Sequence, residues 1–268
     1  MITRAVHAWS LHRTLGRFVA DHANPPGGSQ HVRSGPVDGV TVLELPSLLA
    51  EHGFDTVQLC HFHLGSRDPG YLRDVRGALA AAGVTLGALL VDAGDLVHPT
   101  DADAHEAWIA GWFADAEILG ARRIRVIAGQ QPPTPERLAD SGRRLRRLAA
   151  AAPVRLVTEN WLALLPTAAD VRAVLDAAAG DVGLLVDLGN WKGSGKYDEL
   201  AAIGGLAETS HAKCGTLDDG TLDEVDYRRS LRAVLDAGFT GPLCCVYEGP
   251  DEWAALAAIQ DVIDDEIA

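Results

Sequence analysis

Four ionisable side chains stand at the ends of four short, largely apolar runs. Leu156-Val157-Thr158 leads to Glu159, Leu184-Leu185-Val186 to Asp187, Ala207-Glu208-Thr209-Ser210 to His211, and Leu243-Cys244-Cys245-Val246-Tyr247 to Glu248. Runs of this length and composition read as buried parallel strands. A closed parallel barrel keeps its active site at the carboxyl ends of its strands. Three carboxylates and one imidazole would then converge at one mouth, where they repel one another unless a cation joins them. Hard oxygen donors with a single nitrogen suit Mn²⁺ or Mg²⁺ and tolerate Zn²⁺ or Co²⁺. The expectation is one divalent ion held by Glu159, Asp187, His211 and Glu248.

Further polar residues fall close to these ends. His61 and His63 close the run Thr56-Val57-Gln58-Leu59-Cys60. Being two apart, they face one side of an extended strand and could give or take a proton there. Lys213, two beyond His211, points the same way and could hold an anionic oxygen. Trp9, Trp161 and Trp191 each follow an apolar run and could form a stacking wall. Gly193-Ser194-Gly195-Lys196 lacks the spacing of a phosphate loop.

The elements that must position these groups alternate along the chain. Strands are expected over 5–10, 56–63, 84–91, 123–128, 154–159, 182–187, 207–211 and 243–248. Amphipathic helices are expected over 45–52, 71–82, 103–119, 135–152, 168–178, 197–203, 227–237 and 253–267. Pro46 opens the first helix, and Gly53, Gly83, Gly120 and Gly238 close helices, as proline and glycine tend to do. Eight strand–helix units without a linker predict an α/β fold, a (β/α)₈ TIM barrel, as a single domain over 1–268. The breaker-rich stretch 21–30 follows the first strand, so it belongs on the catalytic face and is long enough to be a lid.

Composition narrows the function classes. The 268 residues are 47% hydrophobic and 22% charged, ordinary for a globular enzyme. The net charge of −14 opposes nucleic acid and anionic membrane as partners, and no apolar run reaches membrane-spanning length. The first residues lack the apolar core of a signal peptide. Four cysteines without a Cys-x-x-Cys pair read as free thiols of a reducing cytoplasm. The expected partner is a small neutral molecule, and a homo-oligomer is compatible with the chain.

The order of these motifs resembles the xylose-isomerase-like TIM-barrel superfamily of sugar isomerases and epimerases. The residues carrying it are Thr158-Glu159-Asn160, Asp187-Leu188-Gly189-Asn190, His211-Ala212-Lys213 and Tyr247-Glu248-Gly249-Pro250. Leu45-Pro46, Gly53-Phe54-Asp55-Thr56-Val57, Val225-Asp226-Tyr227 and Gly238-Phe239-Thr240-Gly241 add to it. The resemblance implies the same four metal ligands, with Glu159 and Glu248 as an acid–base pair on opposite faces of a carbohydrate or polyol substrate. A metal chelating a carbonyl and its neighbouring hydroxyl stabilises the developing enediolate. One carboxylate takes the acidified C–H proton while the other delivers a proton from the far side.

Two departures stand out. Asn190 replaces a histidine common in the family; it can hydrogen-bond a substrate hydroxyl but carries no proton at neutral pH. Gln58 replaces the glutamate with which strand two commonly ends. Asn190, Lys213, His61, His63 and Trp161 are the expected substrate contacts. An inosose-dehydratase-like lyase and a non-catalytic sugar-binding barrel use the same frame and stay open. The zinc endonucleases of the superfamily need extra histidines, including one at position 190, and a partner that this acidic chain repels.

Overall fold

A computed structural model describes residues 3–16, 25–26 and 39–268. Eight parallel strands close into a barrel in sequence order: β1 Ala5–His7, β2 Thr56–Cys60, β3 Thr85–Val91, β4 Arg123–Val126, β5 Arg155–Glu159, β6 Gly183–Asp187, β7 Ala207–Lys213 and β8 Cys244–Val246. The ring is sealed where β1 pairs with β8, Ala5 opposite Cys244. The helices are α1 Leu45–Glu51, α2 Pro69–Ala81, α3 Ala102–Ala110, α4 Phe113–Leu119, α5 Pro135–Ala151, α6 Ala168–Ala177, α7 Lys196–Gly204, α8 Glu224–Asp236 and α9 Glu252–Ile267.

Local chemistry sets where the helices begin and end. The Asp68 carboxylate accepts from Gly70 and Tyr71 N–H, and Pro69 opens α2. Thr134, Thr167 and Asp223 cap α5, α6 and α8 in the same manner, each cap worth about 1 kcal/mol. Gly83 and Gly238 stand two residues past the last helical residue with φ of 71° and 94°, a left-handed turn that residues with a Cβ resist.

Two apolar layers result. The larger lies between the strands' outer faces and the helices. A smaller cluster joins Cys60, Phe62, Ala88, Leu90, Val157 and Leu185, with Trp9 against it. Val157 and Leu185 stand two residues before Glu159 and Asp187 on the same strand faces, so this cluster forms a floor inside the barrel beneath the mouth.

The structure differs from the sequence reading at three elements. Strand β1 ends at His7, and residues 8–11 coil into a 3₁₀ turn capped by the His7 side chain, which accepts from Trp9 N–H. Strand β2 ends at Cys60, and His61–His63 form a second 3₁₀ turn. The single helix expected over 103–119 is two, divided at Gly111-Trp112. The lid expected over 21–30 lies outside the described residues except for Pro25 and Pro26; the Pro26 carbonyl meets His105 Nε2 at 3.0 Å.

Candidate metal centre

Glu159 ends β5, Asp187 ends β6 and His211 lies in β7 directly opposite Asp187. Each offers a ligand atom, and the three atoms lie within 4.8 Å of one another. All three side chains are buried. His211 Nδ1 stands 3.3 Å from Glu159 Oε1 and 3.6 Å from Asp187 Oδ2. Asn160 joins the two acidic strands: its Oδ1 accepts from Asp187 N–H at 2.7 Å, and its Nδ2 donates to the Asp187 carbonyl at 3.1 Å. Gly189 N–H donates to Asp187 Oδ1. Asn190 Nδ2 donates to Glu159 Oε1 at 2.9 Å, so this departure from the family pattern holds a carboxylate in place.

Gln58 now has a role. Its Oε1 lies 2.9 Å from His211 Nε2, and its Nε2 donates to Thr209 Oγ1 and the Ser210 carbonyl. The amide is thereby oriented, so His211 Nε2 carries the hydrogen and Nδ1 faces the carboxylates, an assignment that follows from the network. Burial alone would lower the His211 pKa, but the charges of Glu159 and Asp187 outweigh it and hold the imidazole above its usual value. Burial would raise Glu159; His211 and Arg125 outweigh that and hold it low. His7, its ring 4.5 Å from that of His211, is held well below its usual value by burial and by the neighbouring cations His211 and Arg125.

Arg125, in β4, is 1% exposed and reaches under the mouth. Its guanidinium donates to Asp92 Oδ1 and lies 3.1 Å from Glu159 Oε2 through Nε. The second contact is an ion pair without hydrogen-bond alignment, since neither Arg125 Nε nor Glu159 Oε2 has a hydrogen-bond partner among the described residues. Sequence reasoning missed Arg125, Asp92 and His7. The available signal was a charged residue inside the run Arg123-Ile124-Arg125-Val126-Ile127, since a buried charge is rare unless paired.

Glu248 lies two residues beyond β8 and outside the cluster of three. It lines the same cavity, half-exposed, with its Oε1 accepting from Lys213 Nζ at 2.8 Å and Trp9 Nε1 at 3.0 Å. Burial pushes its carboxyl up, but these two partners hold it below the usual range. Gly189 makes room for the lysine: a Cβ there would fall 2.8 Å from Lys213 Cδ. The cavity, about 200 Å³, is also lined by Asn190 and by Trp9, Phe62 and Trp161. Arg125 lies over the Trp161 ring, 5.1 Å from its centre.

His61 and His63 do not line this cavity; Phe62 between them does. The reason is the 3₁₀ turn, which replaces strand alternation and buries both rings. His61 Nδ1 accepts from Asp92 N–H at 3.1 Å. Trp191 is also elsewhere, donating to the Leu165 carbonyl.

The donors fit a hard divalent cation. Two carboxylates and an imidazole nitrogen, each oriented by a further hydrogen bond, bring their ligand atoms within 4.8 Å of one another. A closed parallel barrel with acids and a histidine gathered at its mouth defines the class of (β/α)₈ barrels with a candidate metal centre. The model for "Xylose isomerase-like TIM barrel" matches residues 46–264, and the chain belongs to that family. Among solved structures, it is similar to a xylose isomerase-like TIM barrel protein from Mycobacterium smegmatis in complex with magnesium (TM-score 0.68, 18% identity, covering 100% of this chain and 98% of that one). It is similar to a D-allulose 3-epimerase from Methylomonas sp. (0.67, 15%, 99% and 98%) and to a 3-keto-D-glucoside 4-epimerase from E. coli (0.64, 17%, 84% and 94%). No curated protein sequence matches this chain.

Proposed function

We propose that the chain is a divalent-metal-dependent sugar or polyol isomerase or epimerase with Glu159 and Glu248 as its acid–base pair. The observation that carries this reading is the buried cluster of Glu159, Asp187 and His211, all within 4.8 Å, at the floor of a cavity that Glu248 also lines. The epimerase neighbours support it at the level of fold, and the magnesium complex of one neighbour supports a metal.

Glu159, Asp187 and His211 would hold the ion, with Glu248, hydrogen-bonded to Lys213 at the rim, as the fourth ligand they would need. A divalent ion there supplies Lewis acidity toward a carbonyl and its adjacent hydroxyl, with Mn²⁺ or Mg²⁺ suiting the oxygen-rich donors. Glu159 is poised to take a proton from carbon, because its neighbours keep it ionised at neutral pH. Glu248 approaches the cavity from β8, with β6 and β7 between it and β5, and exchanges a proton at the other face of the carbon. Lys213 holds Glu248 or a substrate oxygen. Trp161 and Trp9 close the sides against water, and Asn190 and Lys213 offer hydrogen bonds to hydroxyls.

The test combines metal analysis of the purified protein with a panel of ketoses and inososes followed in deuterated water. About one divalent ion per chain is expected, falling in Glu159→Gln and Asp187→Asn, together with substrate C–H exchange. Metal content unchanged in both variants would remove the metal assignment. Exchange accompanied by loss of water would move the reaction to the lyase on the same scaffold.

A further inference from the structure

Asp92, partly buried one residue past β3, and Glu159, buried at the end of β5, stand on neighbouring parts of the mouth, and between them lies Arg125. The guanidinium bridges one oxygen of each, as a metal ion bridges two carboxylates. It donates as well to the Val91 carbonyl, and His61 Nδ1 receives the Asp92 N–H, so the strap is anchored on both sides. Arg125 cannot lose its proton in a protein, so this cation is permanent.

The charge count of the cavity supports the comparison. Asp92, Glu159, Asp187 and Glu248 face it with Arg125 and Lys213. Four carboxylates against two fixed cations leave two negative charges, which a single divalent ion beside a neutral His211 cancels. Without Arg125 the deficit is three, and two carboxylates stand open where the guanidinium was.

We propose that Arg125 is a positioning residue that occupies a second-cation position in the mouth, restricting the centre to one divalent ion and leaving Glu159 only one oxygen for it. This rests on the proposed metal centre and concerns how many ions that centre accepts. It follows that the two members of the Asp92–Arg125 pair act on the metal with opposite sign. Removing the arginine's charge should strengthen ion binding, and removing the aspartate's should weaken it. A merely structural role would weaken binding in both.

The experiment is a Mn²⁺ titration by calorimetry, with electron paramagnetic resonance of the loaded samples, on the full chain as wild type, Arg125→Gln and Asp92→Asn. Wild type should take one ion. Arg125→Gln, whose amide oxygen stands where the guanidinium was, should take two, the first at least tenfold more tightly, with the spectrum of a magnetically coupled pair. Asp92→Asn should take one ion at least tenfold more weakly. A single ion on Arg125→Gln with unchanged or weaker affinity overturns the inference while leaving the metal centre standing. No ion on any of the three proteins removes the metal centre and this inference together. Should Arg125→Gln be unfolded without metal, millimolar Mn²⁺ is expected to restore a two-ion folded chain, and failure to do so overturns the inference equally.

Discussion

Gln58 fixes which nitrogen His211 turns toward the carboxylates, and it does so without carrying charge. Outer hydrogen bonds of this kind commonly change metal affinity by about 10–100-fold. Gln58→Leu should raise the Mn²⁺ dissociation constant by that factor with little change in the fold, measurable by calorimetric titration. Glu248 and His211 should separate binding from chemistry. Glu248 stands outside the buried cluster, so Glu248→Gln is expected to change Mn²⁺ affinity modestly while substrate C–H exchange falls about 10²-fold or more, the usual scale for a lost acid or base. His211→Asn should weaken the metal first, with activity partly restored by excess Mn²⁺. Exchange at the wild-type rate in Glu248→Gln would leave that residue no part in proton transfer.

Between elements, two contacts outside the mouth illustrate which forces set the frame. Gly142 of α5 faces α6 so closely that a Cβ would lie 2.4 Å from Ala177 Cβ and 2.5 Å from the Val174 carbonyl. Alanine gains at most about 1 kcal/mol over glycine in helix propensity, whereas overpacking costs about 1–3 kcal/mol. Packing wins, and Gly142→Ala should lower the melting temperature. Buried Lys196 opens α7 and donates to Asp226 of α8 at 2.5 Å, while Tyr197 donates to the same carboxylate. Burial raises the Asp226 carboxyl, but these two hydrogen bonds hold it below its usual value. A depressed carboxyl contributes stability that is present above its unfolded pKa and lost as pH falls through the folded one. Asp226→Asn should cost about 1 kcal/mol at neutral pH, discounted because Asp226 is one-third exposed. It should also flatten the loss of melting temperature below about pH 4, where free carboxyls titrate.

The strand ends were legible because apolar runs terminating in Glu159, Asp187 and His211 carry their own period. What followed the strands was not. A 3₁₀ turn after Cys60 leaves no mark in a two-residue alternation, so His61 and His63 read as strand residues facing the site. Arg125 was hidden for a different reason: its meaning lies in Asp92, just past β3, and Glu159, at the end of β5, 33 and 34 positions away. The split between α3 and α4 at Gly111 carries only one glycine as its sign, which a helix often tolerates.

For the whole molecule, an ion bound by three strands of one barrel should stabilise all of it. Mn²⁺ at a hundred times its dissociation constant contributes about 2.7 kcal/mol, which should raise the melting temperature by about 5–10 °C by the usual scaling with chain length. Scanning calorimetry with and without chelator measures this directly.

The apolar floor of Phe62, Leu90, Val157 and Leu185 beneath the mouth has a consequence for isotopes. Glu159 is 4% exposed above that floor, whereas the Glu248 side chain is 50% exposed at the rim. A hydron lifted from substrate by Glu159 has no passage downward and must wait for the cavity to open before it can mix with water. One taken by Glu248 meets solvent at once. In the proposed reaction, label removed on the Glu159 side should therefore return in part to the same substrate molecule, and label removed on the Glu248 side should wash out. Running the interconversion from each epimer in deuterated water, and counting deuterium per turnover, should give unequal numbers in the two directions.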